Sequence, residues 1–287
     1  MIEAQPSKTA LRVALRRAAH QLHDDRPLVF EDPLAVRILG PAVAELRAPE
    51  ASRKPYSAAF RAFMVARARL AEDVLAEGVR ALGVRQYLVL GAGLDTFAYR
   101  NPHAEVRVFE VDHPATQAWK RELLADAKIA QPETMRMVAV DFERQSLKDE
   151  LAAAGFDFRV PTVTAWLGVV PYLTAEAFRA TTTLLGSFAA GSGVVFDYSQ
   201  PREALPYTEQ LMLDSLAARV AQAGEPFRLF FRPEELRAEL GQAGLEVVED
   251  LDGRAITSRY FAGRTDGLKL KGSGGRMCWA QSRSRSR

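Results

Sequence analysis

The chain has 287 residues, 48% hydrophobic and 26% charged, enough for one large domain or two small ones around a sizeable core. The net charge is +2, and the last six residues, SRSRSR, supply three arginines, without which the balance falls to −1. That excludes the overall basic excess of a nucleic-acid binder; no apolar run nears the roughly 20 residues that span a bilayer, and Cys278, the single cysteine, has no partner for an intrachain disulfide.

Glu3 and Lys8 interrupt the first residues, so no signal peptide is expected, and the reading is a protein of the reducing cytoplasm. Residues 9–23 place Leu11, Leu15, Ala18, Ala19 and Leu22 on one helical face, with Thr9 as the expected N-cap. A second, short helix is predicted near Leu34–Leu39, stopping at Gly40-Pro41. A third, long one is predicted from about Ser57 to Leu82, ending at Gly83. No strand is expected in these first 84 residues.

From Arg85 the pattern changes to short runs of Val, Leu and Phe alternating with helical stretches. Strands are predicted at Tyr87–Leu90, Val106–Val111, Arg136–Val140, Thr162–Trp166 and Val194–Asp197. Helices are predicted at Pro114–Lys128, Ser146–Ala154, Ala175–Ala189 and Glu203–Ala223. Runs apolar on both faces and separated by helices indicate a parallel sheet covered on both sides. A helix at Pro233–Ala243 and strands at Leu245–Leu251 and Met277–Ala280 complete the chain, while 282–287 is expected to be a disordered tail. The predicted organisation is an N-terminal helical cap over 1–84 on a Rossmann-like core over 85–281.

The first strand runs into Gly91-Ala92-Gly93, followed by Asp95-Thr96, which can cap a following helix. In an open parallel sheet, ligands bind beyond the carboxyl ends of the strands, where strand order reverses. Two glycines there either let a ligand lie against bare backbone or serve tight packing. Asp112 ends the second strand 19 residues beyond Gly93, where an acid meets a ribose diol. The third strand ends in Asp141-Phe142, a carboxylate for an adenine amino group and a ring to flank the base; capping and core packing are the alternative roles. A dinucleotide fingerprint would carry a third glycine where this chain has Thr96, and a pyrophosphate sits badly against Asp95. A phosphate-free, cationic adenosine ligand such as S-adenosylmethionine tolerates these acids.

The stretches VLGAGLDTFAYR, VFEVDHP, VAVDF and AWLGVVPYLT resemble the leucine carboxyl methyltransferase family, in particular its bacterial branch of S-adenosylmethionine-dependent O-methyltransferases. TALRVALRRAAHQL, FEDPLAVRILG and ARARLAED fit the same branch, so the resemblance covers nearly the whole chain. It implies a class I methyltransferase fold: α/β, with a mostly parallel seven-stranded sheet, helices on both faces and an N-terminal helical cap. It further implies that Gly91 supports the methionine part of the cofactor, Asp112 holds the ribose, Asp141 and Phe142 meet the adenine, and Arg67 pairs with the cofactor carboxylate. Ala92, Gly93 and Asp95 complete the expected binding turn. One departure stands out. Family members often carry WEG before PYL, and that glutamate meets the cofactor's amino group; here Leu167 occupies its place.

A sulfonium is an activated methyl donor, so the protein's main tasks are positioning and water exclusion. No histidine sits in a recognisable base motif; His113, Tyr172 and Tyr198 are the weak candidates for the acceptor side. An acceptor already ionised near pH 7 dispenses with a base. A small-molecule carboxylate or acidic phenol is therefore expected, in a pocket with Phe60, Phe63 and Met64 available. No metal is expected, since no His/Asp/Glu cluster has ligand spacing, and neither a nucleic acid nor a membrane is an expected partner. Two other readings stay open: an NAD(P)-dependent oxidoreductase and a non-catalytic cofactor-binding protein.

Overall fold

The computed structural model describes residues 7–47, 58–141, 144–222 and 224–283. Seven strands form one sheet: β1 (Gln86–Leu90), β2 (Arg107–Asp112), β3 (Met135–Ala139), β4 (Thr162–Trp166), β5 (Gly193–Ser199), β6 (Leu245–Leu251) and β7 (Gly275–Ser282). Their spatial order is β3-β2-β1-β4-β5-β7-β6. The first five run parallel and β7 lies antiparallel to both β5 and β6. Strand order reverses between β1 and β4, which places the switch point at the end of β1. This is the α/β, Rossmann-like architecture expected from the sequence, a mostly parallel seven-stranded sheet with helices on both faces.

Alternation along the strands builds two cores. Tyr87 and Val89 face helix α3 (Ala58–Ala81) with Val65, Leu70 and Leu75. Leu88 and Leu90 face the other side, where α5 (Leu147–Ala153), α6 (Ala175–Gly186) and α8 (Pro233–Gln242) bring Leu151, Phe178 and Leu240. A third apolar cluster joins α1 (Lys8–His23), the segment 35–46 with α2 (Ala44–Arg47), Leu94 of the glycine turn and Leu124 of α4 (Pro114–Asp126). The helical cap is thereby packed onto the switch-point edge of the sheet. Helix α7 (Tyr207–Gln222) precedes α8, and α9 (Gly253–Tyr260) follows β6.

Several expectations are corrected. The N-cap of α1 is Ser7, whose hydroxyl accepts from Ala10 N–H, not Thr9. Leu34–Leu39 is no regular helix. Its apolar residues are buried at helical spacing, but a single i→i+4 bond closes there, from Ile38 N–H to Leu34 C=O. The Asp32 carboxylate takes the N–H groups of Leu34 and Ala35, and Gly40 at φ +52 redirects the chain. The stretch predicted as a helix from Glu203 opens as a 3-10 turn, Arg202–Ala204, and α7 starts only at Tyr207, past Pro206. Helix α9 was not expected from the sequence; Asp252 caps it through Ala255 N–H. Strand β7 runs through Ser282, one residue into the predicted tail, whose hydroxyl donates to Ser192 C=O; residues 284–287 lie outside the described residues.

Candidate active site

The turn after β1 is held by backbone and by one carboxylate. Gly91 N–H and Ala92 N–H both donate to Val111 C=O of β2. Gly91 and Gly93 adopt φ +68 and +47, the left-handed region that glycine enters without penalty. A side chain is also excluded by space. A Cβ on Gly91 would lie 2.4 Å from Val169 Cγ2, and one on Gly93 would lie 3.1 Å from Ala10 Cβ of α1. Both glycines thus answer to this chain's own packing as well as to the open face of the turn. Asp112, at the end of β2, accepts from Gly93 N–H through Oδ2 at 2.6 Å and from His113 N–H through Oδ1 at 2.7 Å. Burial pushes its carboxyl above the usual range, against the pull of those two amides.

Asp95 caps only a 3-10 turn, Phe97–Tyr99, not a regular helix, and Thr96 makes no side-chain cap bond to it. Phe97 N–H donates to Asp95 Oδ1 at 2.7 Å, and the other carboxylate oxygen takes Arg17 Nη1 at 2.6 Å. Arg17 Nη2 donates to Asp32 Oδ2 at 2.5 Å, while Thr96 hydroxyl donates to the same carboxylate. Arg100 extends the network to Glu72 of α3 and lies 3.4 Å from Asp32 Oδ1. Lys120 ties Glu110 to the carbonyl of Asp95. Helix α1 is therefore bolted to the glycine turn by buried charge. Arg17, Asp32, Glu72 and Arg100 carry this network and escape a motif search. The one sequence signal is an arginine three residues from Ala14 on the buried face of α1.

Burial alone would raise the Asp95 carboxyl, but Arg17, Lys120 and Arg100 outweigh it and hold it at about 2. A folded-state value below the unfolded one stabilises above pH 4 and is lost as pH falls through 2. The unfolding free energy should therefore decline between pH 4 and 2 by on the order of 2 kcal/mol more in the wild type than in Asp95→Asn. Parallel acid-denaturation slopes for the two proteins would remove Asp95 from the account.

Arg67, on α3, is 5% exposed and lines the cavity. Its Nη1 donates to Asp197 Oδ2 at 3.0 Å, and Asp197 Oδ1 accepts from Gly168 N–H at 2.6 Å. Gly168 has φ +70, and a Cβ there would lie 2.8 Å from Arg67 Nη1, so the guanidinium packs directly on the backbone beyond β4. Leu167 lines the same wall without a charge. The other arginines of α3 turn elsewhere: Arg61 pairs with Asp24, Arg69 with Asp73 and Arg80 with Glu77.

A cavity of about 390 Å³ opens between α1, α3 and the ends of β1, β2 and β4, within the size range of small-molecule sites. Of the residues expected from sequence, Arg67, Gly91, Ala92, Gly93, Asp95, Asp112, His113 and Tyr172 line it, with Met64. Asp141 stands past the end of β3, half-buried and 3.6 Å from Arg144, and is not part of this lining; Phe142 lies outside the described residues. Tyr198 is not brought there. It is 1% exposed on the opposite face of β5 and donates to Asp250 of β6, because Asp197, its neighbour in the strand, takes the cavity side. Phe63 packs near Gly275 and Phe60 beneath Arg16. His113 caps α4: its Nδ1 accepts from Ala115 N–H at 3.2 Å, which places the proton of a neutral ring on Nε2. Burial pushes the Tyr172 hydroxyl up to about 12, with Glu225 adding to the rise and Arg67 opposing it. Among the described residues no group of three His, Cys, Asp or Glu side chains is placed to hold a metal ion. No helix among them is long and apolar enough to cross a membrane.

The family model described as leucine carboxyl methyltransferase matches residues 10–185, more than half of the chain. A Mycobacterium avium (strain 104) protein is 32% identical over 293 residues, covering 90% of each chain. YktD of Bacillus subtilis (strain 168) is 35% identical over 207 residues, 71% of this chain and 67% of its own length. The names of both assign them to the S-adenosyl-L-methionine-dependent methyltransferases. Among solved structures, a Thermobifida fusca protein named as a methyltransferase superposes with a TM-score of 0.60 at 18% identity, over 98% of this chain and 96% of its own. A DUF574-family protein of Streptomyces avermitilis gives 0.57 at 18% identity, over 99% and 100%. Sheet order and the antiparallel β7 define the Rossmann-like class, and the family model and these relatives make the chain a methyltransferase of that class. The chain belongs to the leucine carboxyl methyltransferase family.

Proposed function

We propose that the chain is an S-adenosyl-L-methionine-dependent O-methyltransferase whose acceptor is a carboxylate or acidic phenol of a small molecule. One observation carries the cofactor: among the described residues the cavity is lined by four carboxylates, Glu72, Asp95, Asp112 and Glu225, against three guanidiniums, Arg17, Arg67 and Arg228. The resulting negative balance complements a ligand that adds a sulfonium charge to an amino-acid zwitterion, and opposes a doubly anionic pyrophosphate. Thr96, where a dinucleotide fingerprint needs its third glycine, is committed to Asp32.

When bound, the cofactor supplies a methyl group on a sulfonium, a leaving group that needs no protonation. Asp112 keeps lone pairs free beyond its two backbone donors and would accept from the ribose hydroxyls. Arg67, oriented by Asp197, would take the carboxylate of the amino-acid end as a planar two-donor group. Helix α1 and the segment after α7 shield the cavity from water, which strengthens these contacts. Neither His113, committed to its cap, nor Tyr172, with its raised hydroxyl, is poised to remove a proton near neutrality. That supports an acceptor which arrives ionised.

The test is methyl transfer from labelled cofactor to pooled carboxylic and phenolic metabolites, followed by a single-turnover pH profile of the acceptor found. A carboxylate should give a rate flat from about pH 6 to 9, since an unperturbed carboxyl titrates near 4. A tenfold climb per pH unit through 7 would point to an alcohol or ordinary phenol instead.

A further inference from the structure

The four cavity carboxylates differ in how their charge is met. Asp95 faces Arg17, Glu72 faces Arg100, and Asp112 accepts two backbone N–H groups. Among the described residues Glu225 has only neutral donors. Ser7 hydroxyl donates to its Oε1 at 2.9 Å and Thr9 hydroxyl donates to Oε2. No ion pair joins it to a cation among the described residues, although it is half-buried at the cavity wall. Two hydroxyls fix its direction without cancelling its charge, the arrangement of a carboxylate kept for a cationic ligand group.

Its position narrows which cation. Glu225, Tyr172 and Arg67 all line the cavity, and both charges bear on the Tyr172 hydroxyl. Arg67 is the one arginine of α3 in the lining, and Leu167, on the same wall, offers nothing to an amine. An α-amino acid needs a cation for its carboxylate and an anion for its ammonium group, and the lining offers Arg67 for the first and Glu225 for the second.

We propose that Glu225 is the counter-charge for the α-ammonium group of the cofactor. The inference rests on the cofactor assignment above. It also gives α1 a part in recognition, since Ser7 and Thr9 aim the carboxylate from across the cavity mouth.

The test is titration calorimetry of the whole chain with S-adenosylhomocysteine and with its desamino analogue, in which hydrogen replaces the α-amino group. Wild type should bind S-adenosylhomocysteine at least tenfold more tightly than the analogue. Glu225→Gln, which keeps an oxygen for the hydroxyls, should bind both alike and hold the analogue as wild type does. Wild type binding both equally would overturn the inference whatever the variant does. So would a variant that keeps the wild-type preference, or one that loses both ligands by the same factor. Failure of wild type to bind either ligand or 5′-methylthioadenosine would overturn the cofactor assignment itself, and this inference with it.

Discussion

Replacing Arg17 by methionine is expected to cost about 3–5 kcal/mol of folding stability, the range for breaking a buried ion pair by removing one partner. Arg17 is 5% exposed and meets two carboxylates, one of which, Asp32, is fully buried. Methionine fills a comparable volume but leaves Asp32 with Arg100 at 3.4 Å, the Thr96 hydroxyl and the N–H groups of Leu34 and Ala35, and among the described residues leaves the Asp95 side chain only the N–H of Phe97. The denaturation midpoint should fall accordingly. Because α1 is bolted to the glycine turn through this residue, cofactor affinity should fall with it. Arg17→Lys should recover part of the stability, since a single ammonium cannot span both carboxylates as the fork does. A loss below 1 kcal/mol in Arg17→Met would mean that the network is balanced by water rather than by the arginine.

Asp112→Ala should weaken S-adenosylmethionine at least tenfold, through one or two charge-assisted hydrogen bonds of about 1.5–3 kcal/mol each. The same substitution should lower the stability of the unliganded protein by about 1–3 kcal/mol, because Gly93 N–H and His113 N–H lose their acceptor. Asp112→Asn should not rescue the turn. One of its two positions becomes a donor facing a backbone donor, so at most one amide is satisfied. Calorimetry with S-adenosylhomocysteine and a denaturant titration of the ligand-free variants check both parts. Unchanged affinity with reduced stability would make Asp112 a brace of the glycine turn and nothing more.

Central strands such as β4, TVTAW, were legible because their residues are mostly β-branched or aromatic and every one is buried. The short polar α9, GRAITSRY, carries no such contrast, and its formation depends on Asp252 and on Ile256 meeting the α3 face. Asp112 was legible from spacing, since strand length and turn length fix where the second strand must end. Tyr198 follows the predicted fifth strand, where an acceptor contact and core packing are both open, and alternation decides for packing. Asp197 faces Arg67, so its neighbour must face the other core with Phe196. The network of Arg17, Asp32, Glu72 and Arg100 had no local signature: its members come from four elements and meet only once the cap is seated. Glu225 was equally silent, being one acid in a loop more than 200 residues from the hydroxyls that hold it.

The cavity at the end of β1 is expected to take a phosphate-free, cationic adenosine cofactor. Titrating the purified chain with S-adenosylmethionine, S-adenosylhomocysteine and NADH in the same buffer tests it most directly. Both adenosine–amino-acid ligands should bind at micromolar levels and NADH should neither bind nor compete. Tight binding of NADH with none of S-adenosylmethionine would contradict the account.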